Sequence, residues 1–218
     1  MDENFSDISA VCRLCGSPRC SELHRDKVRP YLQCESCGLV FVPEGFHVSP
    51  AEEKLRYAKH TNTASDKNYV AYLSDIAADI LTLPAASPRI LDFGSGPEHV
   101  LSDILNKRGA VSVPHDPLYG FDVSAATGNF DIVVLCETIE HVRDLPRELG
   151  LISRLVKPEG YVYIHTQLYD DIPDMHSWWY LIDVTHINFF CMRTMEKIGE
   201  MIGKRILSTK EKNTVVLA

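Results

Sequence analysis

Ile90-Leu91-Asp92-Phe93-Gly94-Ser95-Gly96-Pro97 decides the fold. Arg89 to Phe93 reads as a short buried strand, and the chain then breaks into a glycine turn. Beyond it, Glu98 to Arg108 carries Val100, Leu101, Ile104 and Leu105 at helical spacing, with Gly109 as the stop. In a strand, glycine turn and helix in that order, backbone can approach a ligand closely and a helix N-terminus can meet it. Val111-Ser112-Val113 reads as the next strand. Asp116 follows it, placed to accept hydrogen bonds from ribose hydroxyls.

The alternation continues outward. Phe130 to Cys136 is the most apolar stretch, as expected of a strand covered on both faces. Pro146 to Val156 reads as a helix, Tyr161 to His165 as a strand and Arg193 to Gly203 as a helix. Arg205-Ile206-Leu207-Ser208 and Thr214-Val215-Val216-Leu217 flank a turn at Glu211-Lys212-Asn213, so the last strand is expected to be antiparallel. The region 116–129 is short for a full strand-helix unit, and a helix is expected to be missing there. Upstream, Ser49-Pro50-Ala51-Glu52-Glu53 opens a helix expected to run to about His60. A second opens near Asp66, with Tyr69, Leu73, Ile76 and Ile80 inward, and Pro84 and Pro88 end it. The chain thus divides into residues 1–48, a helical linker or cap over 49–88, and an α/β domain over 89–218.

The first segment carries two identical knuckles, Cys12-Arg13-Leu14-Cys15-Gly16 and Cys34-Glu35-Ser36-Cys37-Gly38. Paired CxxC turns at this distance predict one tetrahedral Zn²⁺ held by four thiolates. So short a segment cannot build a core of its own and is expected to need the metal to fold. Leu39 to Val42 reads as its closing strand, and the basic stretch His24 to Arg29 as a solvated hairpin face. Cys20, Cys136 and Cys191 are left over, and Cys136 and Cys191 read as buried thiols. The 218 residues are 45% hydrophobic and carry a net charge of −8, which disfavours general nucleic-acid binding. The acidic start, Met1-Asp2-Glu3-Asn4, lacks the apolar region of a secretory signal, and no stretch is apolar enough for a membrane span. Cysteines in metal spacing suit a reducing compartment, so the expected location is the cytoplasm.

A nicotinamide dinucleotide would need a third glycine, but that position is His99. Asp92 places a carboxylate directly before the turn, which repels pyrophosphate and suits the cationic amino-acid end of S-adenosylmethionine. Here the chain resembles the class I S-adenosylmethionine-dependent methyltransferases over roughly residues 66–218. The carriers are Ile90 to Gly96, Asp116, Phe130 to Val134 with Cys136-Glu137-Thr138-Ile139-Glu140-His141-Val142, and Leu155 to Tyr161. More narrowly it resembles a bacterial subgroup with an N-terminal CxxCG zinc ribbon, matched also by Trp178, Tyr180, Asp183, Thr185 and His186. The resemblance implies a Rossmann-like seven-stranded sheet whose last strand is antiparallel. It implies that Asp92, Gly94 and Gly96 line the cofactor, that Asp116 holds the ribose, and that Cys136 and Glu137 border the sulfonium side. The chain departs from the family at Glu98, where a glycine is usual, and at Pro158-Glu159-Gly160, where Pro-Gly-Gly is usual.

Methyl transfer needs alignment and exclusion of water, with a base where the acceptor must lose a proton. His186 is the first candidate base, with Asp183 able to orient its ring; the alternative is a histidine that ties its loop down. His141 is the second, or else a residue that only starts a helix. Glu137 is a contact to substrate or cofactor, or a plain loop acid. Trp178, Trp179 and Tyr180 read as an apolar wall or as ordinary loop packing. The reading is S-adenosylmethionine-dependent methyl transfer to a small-molecule acceptor, with a structural zinc module able to recruit a protein partner. Its rivals are a methyltransferase-like zinc-binding protein without activity and a nucleotide-dependent oxidoreductase.

Overall fold

This computed structural model describes residues 10–57, 63–123 and 129–218. At the start, β1 (Cys20–Arg25) and β2 (Pro30–Cys34) form an antiparallel hairpin that continues into β3 (Val40–Phe41). Next come α1 (Pro50–Tyr57) and α2 (Lys67–Ile80). Ser49 opens α1 as expected: its Oγ and N–H both donate to the Glu52 carboxylate, at 2.7 and 2.9 Å. The expected helix end near His60 lies outside the described residues. Asp66 caps α2 by accepting from the N–H groups of Asn68 and Tyr69, and Leu73, Ile76 and Ile80 are buried.

The second sheet is built from β4 (Arg89–Phe93), β5 (Val111–His115), β6 (Phe130–Cys136) and β7 (Val156–His165), with α3 (Val100–Lys107) and α4 (Leu145–Leu155) between them. After these follow β8 (Asn188–Phe189), α5 (Met192–Ile202) and the hairpin of β9 (Ile206–Lys210) and β10 (Thr214–Leu217). The spatial order is β5-β4-β6-β7-β10-β9. The pairs among β4 to β7 are parallel, and β10 runs antiparallel to both β7 and β9, as the terminal hairpin predicted. The described residues thus supply six strands where the resemblance implied seven. In the short region after β5, Asp116 bridges to Phe121 around a 3-10 turn, and residues 124–128 lie outside the described set.

β6 shows why its sequence is so apolar. Phe130, Val133 and Leu135 pack with Leu149, Ile152 and Ile198 on one side, while Ile132 and Val134 pack with Leu73, Ile76 and Leu105 on the other. β7 begins earlier than Tyr161, where the sequence placed it. The buried Lys204 ammonium donates to the carbonyls of Pro158 and Gly160, at 3.1 and 2.6 Å, and holds this entry in place.

The N-terminal strands are joined to the rest by a strand the sequence did not reveal. β3 pairs with β8, Val40 opposite Phe189 and Phe41 opposite Asn188. Leu14, Leu32, Leu39 and Phe41 share one apolar core with Leu91, Phe93 and Leu135. The basic stretch before β2 is also not the solvated face expected. Arg29 is only 3% exposed, and its guanidinium donates to the carbonyls of Leu181 (2.8 Å) and Val184 (2.9 Å) and to the Tyr31 hydroxyl (2.6 Å). The reason is that the hairpin lies on residues 181–187, a contact no local pattern encodes. Among the described residues no helix is long and apolar enough to cross a membrane.

Arg29→Met keeps the aliphatic stem and removes the donors. It should lower the free energy of unfolding by roughly 2–5 kcal/mol, because two or three buried carbonyls lose their partners. Urea denaturation measures this, and a loss well under about 1 kcal/mol would mean that the 181–187 segment holds itself.

Candidate functional site

Three strand-end loops meet at the glycine turn. Gly94 and Gly96 both have positive φ, 82° and 68°. The Gly94 N–H donates to the His115 carbonyl (2.7 Å), and the Gly96 N–H to Asp116 Oδ2 (3.1 Å). The turn after β4 therefore hangs from the end of β5. On its other side, a Cβ at Gly94 would stand 2.2 Å from the Thr138 side chain, so only glycine lets the loop after β6 close in. Asp116 is half-buried, and burial raises its carboxyl above the ordinary range. Its second oxygen accepts from the Leu118 N–H at 3.1 Å. A carboxylate has about four acceptor positions, so two remain for ligand hydroxyls.

Asp92 sits differently from the expectation. It is 2% exposed, and its Oδ2 accepts from the Ser102 N–H (3.2 Å) and Oγ (2.9 Å). The carboxylate fastens α3 to β4 from beneath the turn. Burial pushes its pKa up to about 6, the Ser102 hydrogen bonds opposing the rise. Glu98, the departure from the family pattern, is exposed and accepts from the Ala64 N–H at 2.8 Å, which ties it to the segment before α2.

Beyond β6 the chain turns sharply. Cys136 is half-buried, and its carbonyl accepts from Thr138 Oγ1 at 3.0 Å. Glu137 has φ of 49°, a left-handed conformation that costs a non-glycine residue on the order of 1 kcal/mol. It is held there by its N–H on the His165 carbonyl (2.9 Å) and by the Tyr72 hydroxyl on its Oε1 (2.9 Å). A 3-10 turn, Ile139–His141, follows. Glu140 is fully buried and accepts from the hydroxyls of Tyr180 (2.6 Å) and Thr166 (3.1 Å).

The turn faces the segment before β8. His186 Nδ1 lies 2.8 Å from the Tyr180 carbonyl and His141 Nδ1 3.1 Å from the Thr185 carbonyl, so each Nδ1 carries the proton. The two rings are 4.8 Å apart, and burial, then His141, lower the His186 pKa to about 4. The sequence expected Asp183 to orient the His186 ring. The Tyr180 carbonyl does that instead, while the Asp183 carboxylate accepts from Thr185 N–H and Oγ1 and pairs with Arg56 at 3.3 Å. Trp178 and Tyr180 pack with Tyr31, Val40 and Phe189, which answers the aromatic question in favour of loop packing; Trp179 is 62% exposed. Sequence reasoning left Glu140 without a role. Its signal was there, an acid one turn after Glu137 and next to His141, but its hydroxyl partners come from distant segments.

The four knuckle cysteines come together. Their sulfurs all lie within 4.8 Å of one another, with Cys12–Cys37 and Cys15–Cys34 at 3.6 Å. Thiolates around one zinc at about 2.3 Å stand roughly 3.8 Å apart, whereas a disulfide is about 2.05 Å long. The spacing fits a metal, and four sulfurs leave it no open position. The knuckle at Gly38 presses on α5: a Cβ there would be 2.6 Å from Cys191 Sγ, and Thr194 Oγ1 donates to the Cys37 carbonyl at 3.0 Å.

A family described as a methyltransferase domain matches residues 64–209, more than half of the chain. No curated protein matches the chain by sequence. Among solved structures, the chain is similar to CalO1, a methyltransferase in calicheamicin biosynthesis crystallised with S-adenosylhomocysteine. The two are 16% identical with a TM-score of 0.54, over 78% of this chain and 58% of that one. It is also similar to 1,6-didemethyltoxoflavin-N1-methyltransferase from Burkholderia thailandensis, bound to 1,6-didemethyltoxoflavin and S-adenosylhomocysteine, at 14% identity and TM-score 0.52 over 90% and 96% of the two chains. An O-methyltransferase family protein from the same organism gives 16% and 0.54, over 76% of this chain and 61% of that one. The chain thus spans less than two thirds of the first and third of these, and at such identities the likeness is one of fold.

The buried Asp92 makes stability depend on pH. Its pKa is about 6 in the fold against 3.8 for the free side chain, so the fold favours the neutral carboxyl. The associated stability is complete below about pH 4 and is lost as pH rises through about 6. Between pH 5 and 7.5 the chain should lose about 1 kcal/mol relative to Asp92→Asn. Parallel denaturation curves for the two proteins across that span would show that Asp92 does not ionise inside the fold.

Proposed function

The chain belongs to the methyltransferase-domain family, and we propose that it transfers a methyl group from S-adenosylmethionine to a small-molecule acceptor. The observation that carries this reading is the junction of three strand ends: Gly96 bonded to Asp116, and Gly94 closed against Thr138. In this reading the glycine turn of Gly94 and Gly96, with open space at Gly96, receives the amino-acid end of the cofactor, and Asp116 uses its spare acceptor positions on the ribose. Asp92 acts from below, fixing α3 and lending negative potential to the turn. Cys136 and Glu137 border the sulfonium side. When bound, the cofactor supplies a methyl carbon already activated by positive sulfur. The residues of the chain then need only align the acceptor and keep water away.

His186, His141 and Asp183 belong to the acceptor side, one turn beyond Glu137. Asp183 shapes the loop through Thr185, and the two backbone carbonyls fix the orientation of the rings. A small acceptor is supported by the net charge of −8, which opposes a nucleic-acid substrate, and by the 1,6-didemethyltoxoflavin bound in the similar Burkholderia thailandensis N1-methyltransferase. In this reading the four cysteines hold one structural zinc, as in methyltransferases that carry an N-terminal CxxCG ribbon, and the setting is reducing and cytoplasmic.

Calorimetry should find S-adenosylhomocysteine bound at one per chain and no binding of a nicotinamide dinucleotide. Asp116→Ala should weaken the former by about 1–3 kcal/mol. A chain that binds neither ligand would be the inactive zinc-binding alternative. Metal analysis should find one thiolate-held zinc. Because Cys34 and Cys37 lie in the core shared with β4 and β6, Cys34→Ser should lower the midpoint of the whole unfolding transition, and an unchanged transition after full chelation would contradict the zinc assignment.

A further inference from the structure

We propose that Glu140, His141 and His186 form a second metal site, for a divalent transition-metal ion. One ligand atom from each of the three lies within 4.8 Å of the others. Cis ligands around an ion at about 2.1 Å stand roughly 3–3.5 Å apart, so side-chain rotations of about an ångström close the site. Two imidazoles and one carboxylate suit zinc, cobalt or iron(II) rather than magnesium or calcium, which take oxygen ligands.

Three features mark a site that is built. The first is outer support. Metal-bound histidines hold their other nitrogen on a carbonyl or carboxylate, and here both Nδ1 atoms rest on backbone carbonyls, Thr185 and Tyr180. The carboxylate has its own supports, the Tyr180 hydroxyl on one oxygen and the Thr166 hydroxyl on the other, and it also meets the Glu137 carboxyl. Tyr180 thus orients two of the three ligands, Glu140 through its hydroxyl and His186 through its carbonyl.

The second is charge. Glu140 is 0% exposed, and among the described residues no ion pair joins it to a lysine or arginine such as Arg56 or Arg143, which pair with Asp183 and Glu53. A second acid, Glu137, is hydrogen-bonded to it carboxyl to carboxyl, so the pair shares a proton that an incoming ion would displace. Buried carboxylates without a cationic side chain are costly, and a divalent ion supplies the missing charge. The third is rigidity. The Asn188 amide, fully buried, donates to the carbonyls of Ile139 (3.3 Å), Glu140 (3.4 Å) and Val142 (2.8 Å), and the Ile187 N–H donates to the Glu140 carbonyl at 2.9 Å. The turn with Glu140 and His141 and the segment with His186 are therefore clamped together, with Arg29 behind the latter.

Three protein ligands leave coordination positions open, unlike the closed thiolate site. The site thus takes an outside oxygen donor, which on the methyl-transfer reading is an oxygen of the acceptor. Binding of the ion itself does not depend on that reading.

The test uses the full chain with its thiolate site loaded with zinc, titrated with Co²⁺ and followed by calorimetry and visible absorption. One further equivalent should bind, with the weak absorption of nitrogen and oxygen ligation and without thiolate charge-transfer bands. His141→Ala and Glu140→Gln should each weaken Co²⁺ binding at least tenfold. His141 is the less buried of the two, and circular dichroism with the S-adenosylhomocysteine titration reports whether each variant is folded. Absence of Co²⁺ binding to the wild type would overturn the site, as would equal affinity in folded His141→Ala. In either case intact S-adenosylhomocysteine binding would leave the methyltransferase reading standing.

Discussion

The buried guanidinium of Arg29 fastens the N-terminal hairpin to the segment that precedes β8. It comes from the loop before β2 and spends its donors on the Leu181, Val184 and His186 carbonyls and on Tyr31. Those carbonyls belong to an irregular segment that would otherwise expose unpaired backbone to the interior. With its carbonyls held, the segment leads into β8, which pairs with β3. The small N-terminal sheet is then not an appendage in packing terms. Its cysteines and leucines sit in the same core as the central strands.

That arrangement links the four-cysteine cluster to the turn that follows β6 in the large sheet. Four sulfurs hold the knuckles, the second knuckle presses on α5 through Gly38 and Cys191, and β3 carries the constraint into β8. Asn188 on β8 then grips the turn that bears Glu140 and His141. No element in this series is long. Each is short enough that its conformation comes from neighbours, which is how a strained residue such as Glu137 can persist at positive φ at the end of β6.

The regular part was legible because its signals are local. The glycine turn after β4, the apolar β6, the Asp66 cap of α2 and the terminal hairpin all follow from residues close in sequence. The limits came where partners are distant. β7 starts at Val156 because Lys204 holds its entry, and no residue near Val156 announces that. Arg29 reads as solvated from its charged neighbours, while the carbonyls that hold its guanidinium are more than a hundred positions away. Asp183 looked like the orienting partner of His186 because it is close in sequence, yet the ring turns to Tyr180.

The sequence by itself determined the chemistry available: four thiolates in zinc spacing, a bared glycine turn with an acid after the next strand, and two histidines with acids beside them. These depend on residue type and short spacing, which the chain states directly. Only the tertiary structure decided which groups work together. It turned Asp92 inward to Ser102, joined Asp116 to Gly96, and brought Glu140 from one loop to His186 on another. Such pairings are set by burial and by the need of every interior polar group for a partner, and that need is satisfied across the whole fold rather than along the chain.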